Sequence, residues 1–288
     1  LVERVSICIC TRNRAKDLKN AIQSIYQSTY KNFEIIVSDD STNDESKKMV
    51  AREFSEVKYV KGPQKGLCFN RNNALKLVTG SRVLFIDDDV VMSIDFLEII
   101  MTKLKLIELE KHEEVIITGI EQNKGLNVYP SNFNYLGHQA KAYRKDESLK
   151  TVVINSTIFP VSVFGKIKFD EQLVYGYDEV DIATRAVSQG YFIYLCDDAI
   201  NNHYPSEINR GYYSIFKEAS RIYVTYKRYN QIEKKTLKSL IYLPISFTHL
   251  LAYQIRKRGP KGFINAFSTF KKVISYIKLL KGWTQSQT

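Results

Sequence analysis

The first third of the chain alternates short apolar runs with segments whose apolar residues recur three and four positions apart. Residues 5–10 are almost wholly apolar and predict a buried strand, after which Leu18, Ala21, Ile22 and Ile25 fall on one helix face. Residues 33–38 predict a second strand, 45–54 a helix and 58–60 a short strand. A loop over 61–67 leads to a helix over 69–77, which Gly80 closes, and then to a strand over 83–86. Strands alternating with helices through short loops predict an α/β chain with a mixed, mainly parallel sheet flanked by helices. Its ligand crevice lies outside the carboxyl ends of the strands.

From residue 115 the pattern loosens. Strands are predicted over 115–118, 152–159 and 191–195, and a polar stretch rich in Tyr and Asn, 122–150, separates the first two. Gly176-Tyr177-Asp178-Glu179 opens a helix running to about residue 189, and Asn201-Asn202-His203 follows the last strand.

The strand ends carry the candidate chemistry: Thr11 after the first, Asp39 and Asp40 after the second, and Asp87, Asp88 and Asp89 after the strand over 83–86. Three adjacent carboxylates repel one another unless a cation lies between them. A hard divalent ion, Mg2+ or Mn2+, is held by one or two carboxylates together with substrate phosphates, which points to nucleotide-diphosphate chemistry. The competing reading is a solvated acidic turn ahead of the helix from Asp95. Asp178 and Glu179 suit a helix N-terminus by themselves, for about 0.3–1 kcal/mol each, and either also suits a general base. His203 reads as a loop histidine or a metal ligand, and Arg71 as an exposed helix cation or a contact to phosphate or base. The loop over 62–66 lacks the Gly-Lys-Ser/Thr ending of a phosphate loop and follows no long strand.

Charge divides the chain in two. Of the net +11, residues 207–288 supply 16 Lys/Arg against 3 Asp/Glu, while residues 1–206 hold 26 against 28. The division predicts a catalytic domain over 1–206 and an amphipathic helical tail over 207–288. Within the tail, 17 uncharged residues separate Lys238 from Arg256 and include Pro244, His249 and Gln254. That is the bottom of the roughly 17–25 residues needed to span a bilayer, so a helix lying on an anionic membrane surface is expected instead. Flanking cations at 234, 235, 238 and 256–258 would each add about 1 kcal/mol there. The alternative is a helical cap on the first domain with a solvated basic face. No helix-turn-helix, zinc-finger or RNA-binding signature accompanies the charge, so nucleic acid is not the expected partner. Cys8, Cys10, Cys68 and Cys196 form no Cys-x-x-Cys pair and no signal-peptide pattern opens the sequence, so a cytoplasmic location is expected. Asn155-Ser156-Thr157 matches a glycosylation sequon and reads as incidental in that setting.

Together the motifs resemble the inverting family 2 glycosyltransferases of the GT-A fold. The resemblance covers roughly residues 4–206. It rests on residues 5–14 and 33–42, on Arg71-Asn72-Asn73-Ala74, on the triple Asp, on Phe169-Asp170-Glu171, and on the acidic helix start with its later histidine. It implies a nucleotide-diphospho-sugar donor of UDP or dTDP type and a hydroxyl acceptor. Thr11, Asp39 and Arg71 would line the nucleotide pocket, with Asp39 accepting from the uracil or thymine ring. Asp87 would meet the ribose with Asp88 beside it, Asp89 would hold Mg2+ or Mn2+, and His203 would add a ligand, as in some members. Glu179 falls at the family's base position. Many relatives carry Glu-Asp where this chain has Asp178-Glu179, so the base is expected at Glu179 or, failing that, at Asp178. With the tail, the expectation is an enzyme peripheral on the inner face of the cell membrane that elongates a lipid-linked or cell-surface glycan. Residues 122–150 would shape its acceptor cleft. A sugar nucleotidyltransferase is the competing enzyme class, but it would favour a glycine-rich basic loop where this chain has Thr11-Arg12-Asn13-Arg14.

Overall fold

The computed structural model describes residues 3–144, 146–205 and 210–285. Strands β1 (Val5–Thr11), β2 (Phe33–Asp39), β3 (Lys58–Lys61) and β4 (Arg82–Asp87) alternate with helices α1 (Ala15–Tyr26), α2 (Glu45–Glu53) and α3 (Leu67–Leu75), to within a residue or two of the periodicity. Then come β5 (Val90–Met92), α4 (Phe96–Lys111), β6 (Ile116–Asn123), β7 (Leu126–Val128), β8 (Ser131–Phe133) and β9 (Gln139–Ala142). The remaining elements of this region are β10 (Thr157–Pro160), α5 (Val161–Lys166), α6 (Asp178–Ser188) and β11 (Ile193–His203).

One sheet takes the order β3-β2-β1-β4-β10-β6-β11-β5, with β7 paired to β6, while β8 and β9 form a separate hairpin. Strands β3, β2, β1 and β4 are parallel neighbours, as are β6 and β11. β10 runs antiparallel between β4 and β6, and β5 runs antiparallel to β11. Side chains of a strand alternate between faces, and both faces are covered here. Ile7, Ile9, Leu84 and Ile86 pack with α1 and α4 residues such as Leu18, Ile22 and Phe96, whereas Cys8, Val83 and Phe85 enter the opposite core with Cys68 and Ile182.

Three of the predicted strands take other bounds, and β5, β7, β8, β9 and α5 lie in segments the periodicity left unassigned. β6 runs on from 118 to Asn123, and β11 continues past Leu195 to His203 through a register shift between Leu195 and Ile200. A bulge breaks the alternation of apolar positions, so the polar second half of β11 reads as loop in the sequence. The first part of the 152–159 segment holds a 3₁₀ turn, Ile154–Ser156, and only Thr157–Pro160 pairs.

The tail forms α7 (Arg210–Lys227), α8 (Thr236–Arg258) and α9 (Lys261–Gln285). The boundary expected at 206/207 lies outside the described residues. The helices share a core with the sheet: Ile222, Tyr223, Tyr242 and Tyr276 cluster with Phe85, Phe159 and Ile182. Buried Lys227 of α7 lies 2.6 Å from Asp170 Oδ2 and 2.9 Å from Asp181 Oδ1, and the Tyr223 hydroxyl donates to Asp170. Removing one partner of a buried ion pair costs about 3–5 kcal/mol because the other charge is stranded. Lys227→Met is therefore expected to destabilise the whole chain by that order, read as an earlier single transition in urea unfolding. A tail that unfolds separately, leaving the main transition unmoved, would contradict this.

Among the described residues no helix is long and apolar enough to cross a membrane. α8 nonetheless has two apolar faces. Tyr242 and Leu250 turn inward, while Leu237, Leu240, Ile241, Ile245 and Ile255 are exposed on the other side.

Candidate active site

Register assembles the site. Thr11 pairs with Asp39 across β1 and β2, and Cys10 pairs with Asp87 across β1 and β4, so the three parallel strands end in one row. His203, the last residue of β11, pairs with Val90 just beyond Asp89, and the Tyr204 N–H donates to the Asp89 carbonyl at 2.9 Å. The loop after β4 and the end of β11 are thereby fastened together.

Asp87, Asp89 and His203 each offer one ligand atom, and these atoms lie within 4.8 Å of one another. His203 Nε2 is 3.2 Å from Asp89 Oδ1, and Nδ1 is 2.9 Å from Glu121 Oε2. Burial alone would lower the imidazole pKa, but hydrogen bonds to Asp89 and Glu121 raise it to about 10. On metal binding the Nε2 proton would be displaced, leaving Nδ1–H donated to Glu121 and the Nε2 lone pair free as a ligand, the arrangement in which an outer carboxylate orients a metal-binding imidazole. Two carboxylates and one imidazole fit Mn2+ or Mg2+, with positions left for phosphate oxygens and water.

Asp88 is turned away from this group. Its buried carboxylate accepts from the Thr11 hydroxyl at 2.7 Å and from Arg14 Nη1 at 2.8 Å, and Arg14 reaches Asp89 at 3.0 Å. Burial pushes the Asp88 pKa up to about 7, against the pull of Arg14 and Thr11. Thr11 and Asp88, both expected at the nucleotide, are here each other's partners. Asp39 is buried at the end of β2, where its carboxylate accepts from the Ser41 N–H at 2.8 Å and the Tyr59 hydroxyl at 2.7 Å. Neighbouring Asp40 accepts from the Gln64 N–H at 2.9 Å. A Cβ at Gly62 would come within 2.1 Å of Asp40 Oδ1 and 2.4 Å of Asn70 Oδ1, so the glycine serves this close approach.

Arg71 joins the two acidic clusters. It is 2% exposed, lies against Phe169 at 5.4 Å and Phe85 at 6.0 Å, ion-pairs with Asp178, and reaches Asp87 Oδ1 at 3.3 Å. The reading of Arg71 as an exposed helix cation thus gives way to a buried one. Gly176 (φ 78°) and Tyr177 (φ 62°) are both left-handed, an uncommon conformation for a bulky residue, and they swing the chain so that α6 begins beside Arg71. Asp178 is buried on that guanidinium. Glu179 is half-buried and has no ion-pair partner among the described residues. Burial raises its pKa above the ordinary glutamate range, opposed by its own N–H, Arg71 and Lys217.

Four contributors escaped the sequence reading: Arg14, Tyr59, Glu121 and Asn155. Glu121 closes the buried part of β6 as Asp39 closes β2, so the strand-end rule finds it once β6 is drawn to its full length. Asn155, the sequon asparagine, is buried. Its Nδ2 donates to Glu121 at 2.7 Å and its Oδ1 accepts the Asp87 N–H at 2.9 Å, which holds two of the acids in place.

Comparison with known proteins places the chain in a family and a fold. The profile of Glycosyl transferase family 2 matches residues 6–164. A GalNAc(5)-diNAcBac-PP-undecaprenol beta-1,3-glucosyltransferase of Campylobacter jejuni is 36% identical over 91 residues, 30% of this chain and 29% of the relative. The match thus spans less than a third of that relative's length. An uncharacterized glycosyltransferase of Methanocaldococcus jannaschii is 22% identical over 86% of this chain and 87% of its own. In three dimensions, the S. aureus TarS 1-349 crystal structure aligns over 94% of this chain and 80% of its own, with a TM-score of 0.61 at 16% identity, a likeness of fold. With the profile covering more than half of its length and the strand-end acids gathered in one crevice, this chain belongs to glycosyl transferase family 2 and has the GT-A fold.

Proposed function

We propose that the chain transfers a sugar, with inversion at the anomeric carbon, from a UDP- or dTDP-sugar to a hydroxyl of a lipid-linked or cell-surface glycan. The observation that carries this reading is Arg71, which touches Asp87 on the metal side and Asp178 on the α6 side, so donor-activating and acceptor-activating acids share one pocket. Asp39 accepts from the imide N–H of the base and Asp87 from the ribose. Asp89 and His203 hold Mn2+ or Mg2+, which when bound supplies Lewis-acid stabilisation of the departing diphosphate. Glu179 takes the acceptor proton, and its negative charge also favours an oxocarbenium-like transition state.

Two observations support a lipid-linked acceptor at a membrane surface. Some relatives are named for it, among them the C. jejuni enzyme and a UDP-Glc:alpha-D-GlcNAc-diphosphoundecaprenol beta-1,3-glucosyltransferase of Escherichia coli, 34% identical over 31% of this chain and 36% of its own. The outward apolar face of α8 is flanked by exposed Lys234 and Lys235 at one end and by Arg256, Lys257 and Arg258 at the other. Cations bracketing an apolar stripe suit an anionic leaflet.

The test incubates the chain with UDP- and dTDP-sugars, Mn2+ or Mg2+, and saccharide-diphosphate lipid in anionic vesicles. Release of nucleoside diphosphate and a product of opposite anomeric configuration by NMR are expected, together with vesicle flotation that weakens as salt rises. Retained configuration, or no release with any such donor, would overturn the reading.

A further inference from the structure

A cavity of about 610 Å3 lies between the segment Asn134-Tyr135-Leu136 and the outward face of α8, where Ile245, Thr248 and His249 line it. It is an open groove on the surface rather than an enclosed pocket, with a volume in the range of small-molecule sites. Its walls are mainly aliphatic and aromatic, and the Ile245 side belongs to the exposed apolar stripe between the two cation clusters.

One turn of α7 connects this cavity to the candidate base. Arg221 donates to the Leu136 carbonyl on the cavity side and is held by Glu218 at 2.9 Å. One turn earlier, Lys217 packs its stem on Gly176, in the turn that launches Asp178 and Glu179, while the Ser220 hydroxyl donates to the Tyr175 carbonyl at 3.0 Å. His138 follows the cavity segment, with its ring 5.9 Å from that of His249. Lys217 and Arg221 are four residues apart on one face of α7, so the cavity segment and the turn that precedes Glu179 lie along the same side of the helix, about one turn apart. Exposed Lys217 stands at the Gly176 end and partly buried His138 at the cavity end.

We propose that this cavity receives the first isoprene units of a polyprenyl-diphosphate acceptor, with the diphosphate passing along Lys217 and His138 so that the terminal sugar reaches Glu179. The assignment rests on the lipid-linked acceptor reading. The occupant follows from the apolar lining, from the Lys217 cation beside the turn that precedes Glu179, and from continuity with the stripe that would lie on the membrane. The remaining chain continues from the cavity along Ile241 and Ile245 into the bilayer. The segment 134–138, inside the stretch expected to shape the acceptor cleft, thereby acts through a lipid contact.

Binding of farnesyl diphosphate and of inorganic diphosphate to the full chain, measured by calorimetry without detergent, tests this directly. Farnesyl diphosphate is expected to bind at least about tenfold tighter, since burying only two methylenes accounts for that factor. Ile245→Trp and Thr248→Trp fill the cavity from exposed positions. Both should remove the preference while keeping the parent's melting temperature and its affinity for UDP, whose site lies at the strand ends. Equal affinity for the two diphosphates, or a preference that survives both tryptophans, would overturn the assignment. If those results came with continued transfer onto saccharide-diphosphate polyprenol, the cavity assignment alone would fall. Loss of all such transfer in the parent would instead remove the acceptor reading.

Discussion

Glu179→Gln is expected to lower turnover by about 10²–10⁴-fold while leaving donor affinity and folding unchanged, the range that removal of a positioned general base produces. The substitution keeps the side chain's size and hydrogen-bonding length and deletes only its ability to take a proton. No ion pair is broken, because Glu179 has none among the described residues. Asp178 behaves differently. Its carboxylate is the closer partner of buried Arg71, so Asp178→Asn leaves the guanidinium only its contact to Asp87 at 3.3 Å and costs stability, up to the roughly 3–5 kcal/mol of a broken buried pair. An activity assay alone would confuse the two variants; kcat, KM for donor and unfolding midpoint together separate them. The pH profile adds an independent sign. A base works only when deprotonated, and burial raises the Glu179 pKa. The rate should therefore fall as pH drops through a value above the ordinary glutamate range, and Glu179→Gln should lose that limb. If Glu179→Gln keeps full turnover while Asp178→Asn folds normally and loses it, the base sits one residue earlier.

The choice between these adjacent acids shows where sequence reasoning stops. Both stand at a helix start, and nothing in Asp178-Glu179 says which one Arg71 will take. That depends on Gly176 and Tyr177 adopting left-handed angles and on α3 carrying Arg71 in between Phe85 and Phe169. By contrast, the row Thr11, Asp39 and Asp87 was legible because parallel strands in register bring their polar ends together without any special turn. Asp88 illustrates the limit of composition: three consecutive acids suggest a shared cation, yet the middle one points to Thr11 and Arg14. Glu121 was hidden by a strand drawn too short, and His203 was found as a residue but not as a strand end, since the bulge in β11 disguises its pairing. In the tail the amphipathic pattern was readable, but α8 is apolar on two sides. Only packing of Tyr242 and Leu250 reveals which face is left for another surface.

Asp89→Ala is expected to abolish the response to Mn2+ and reduce turnover by about 10²–10³-fold, the equivalent of the several kcal/mol that a Lewis acid supplies to a departing diphosphate. Asp89 is the carboxylate of the cluster that touches His203 Nε2, at 3.2 Å, so its removal leaves one carboxylate and one imidazole of the three candidate ligands. Glu121→Gln makes a graded comparison. It leaves the ligand atoms in place but weakens the acceptor that holds Nδ1–H, and losses of outer partners of this kind typically cost about 10–100-fold in metal affinity. Mn2+ titration followed by electron paramagnetic resonance should therefore rank the parent above Glu121→Gln and Glu121→Gln above Asp89→Ala, independently of any assay of transfer. A purely structural role predicts another order. If Asp89 serves only to neutralise Arg14 and His203, Asp89→Ala lowers the unfolding midpoint while Mn2+ affinity stays at the parent value, and the metal assignment fails.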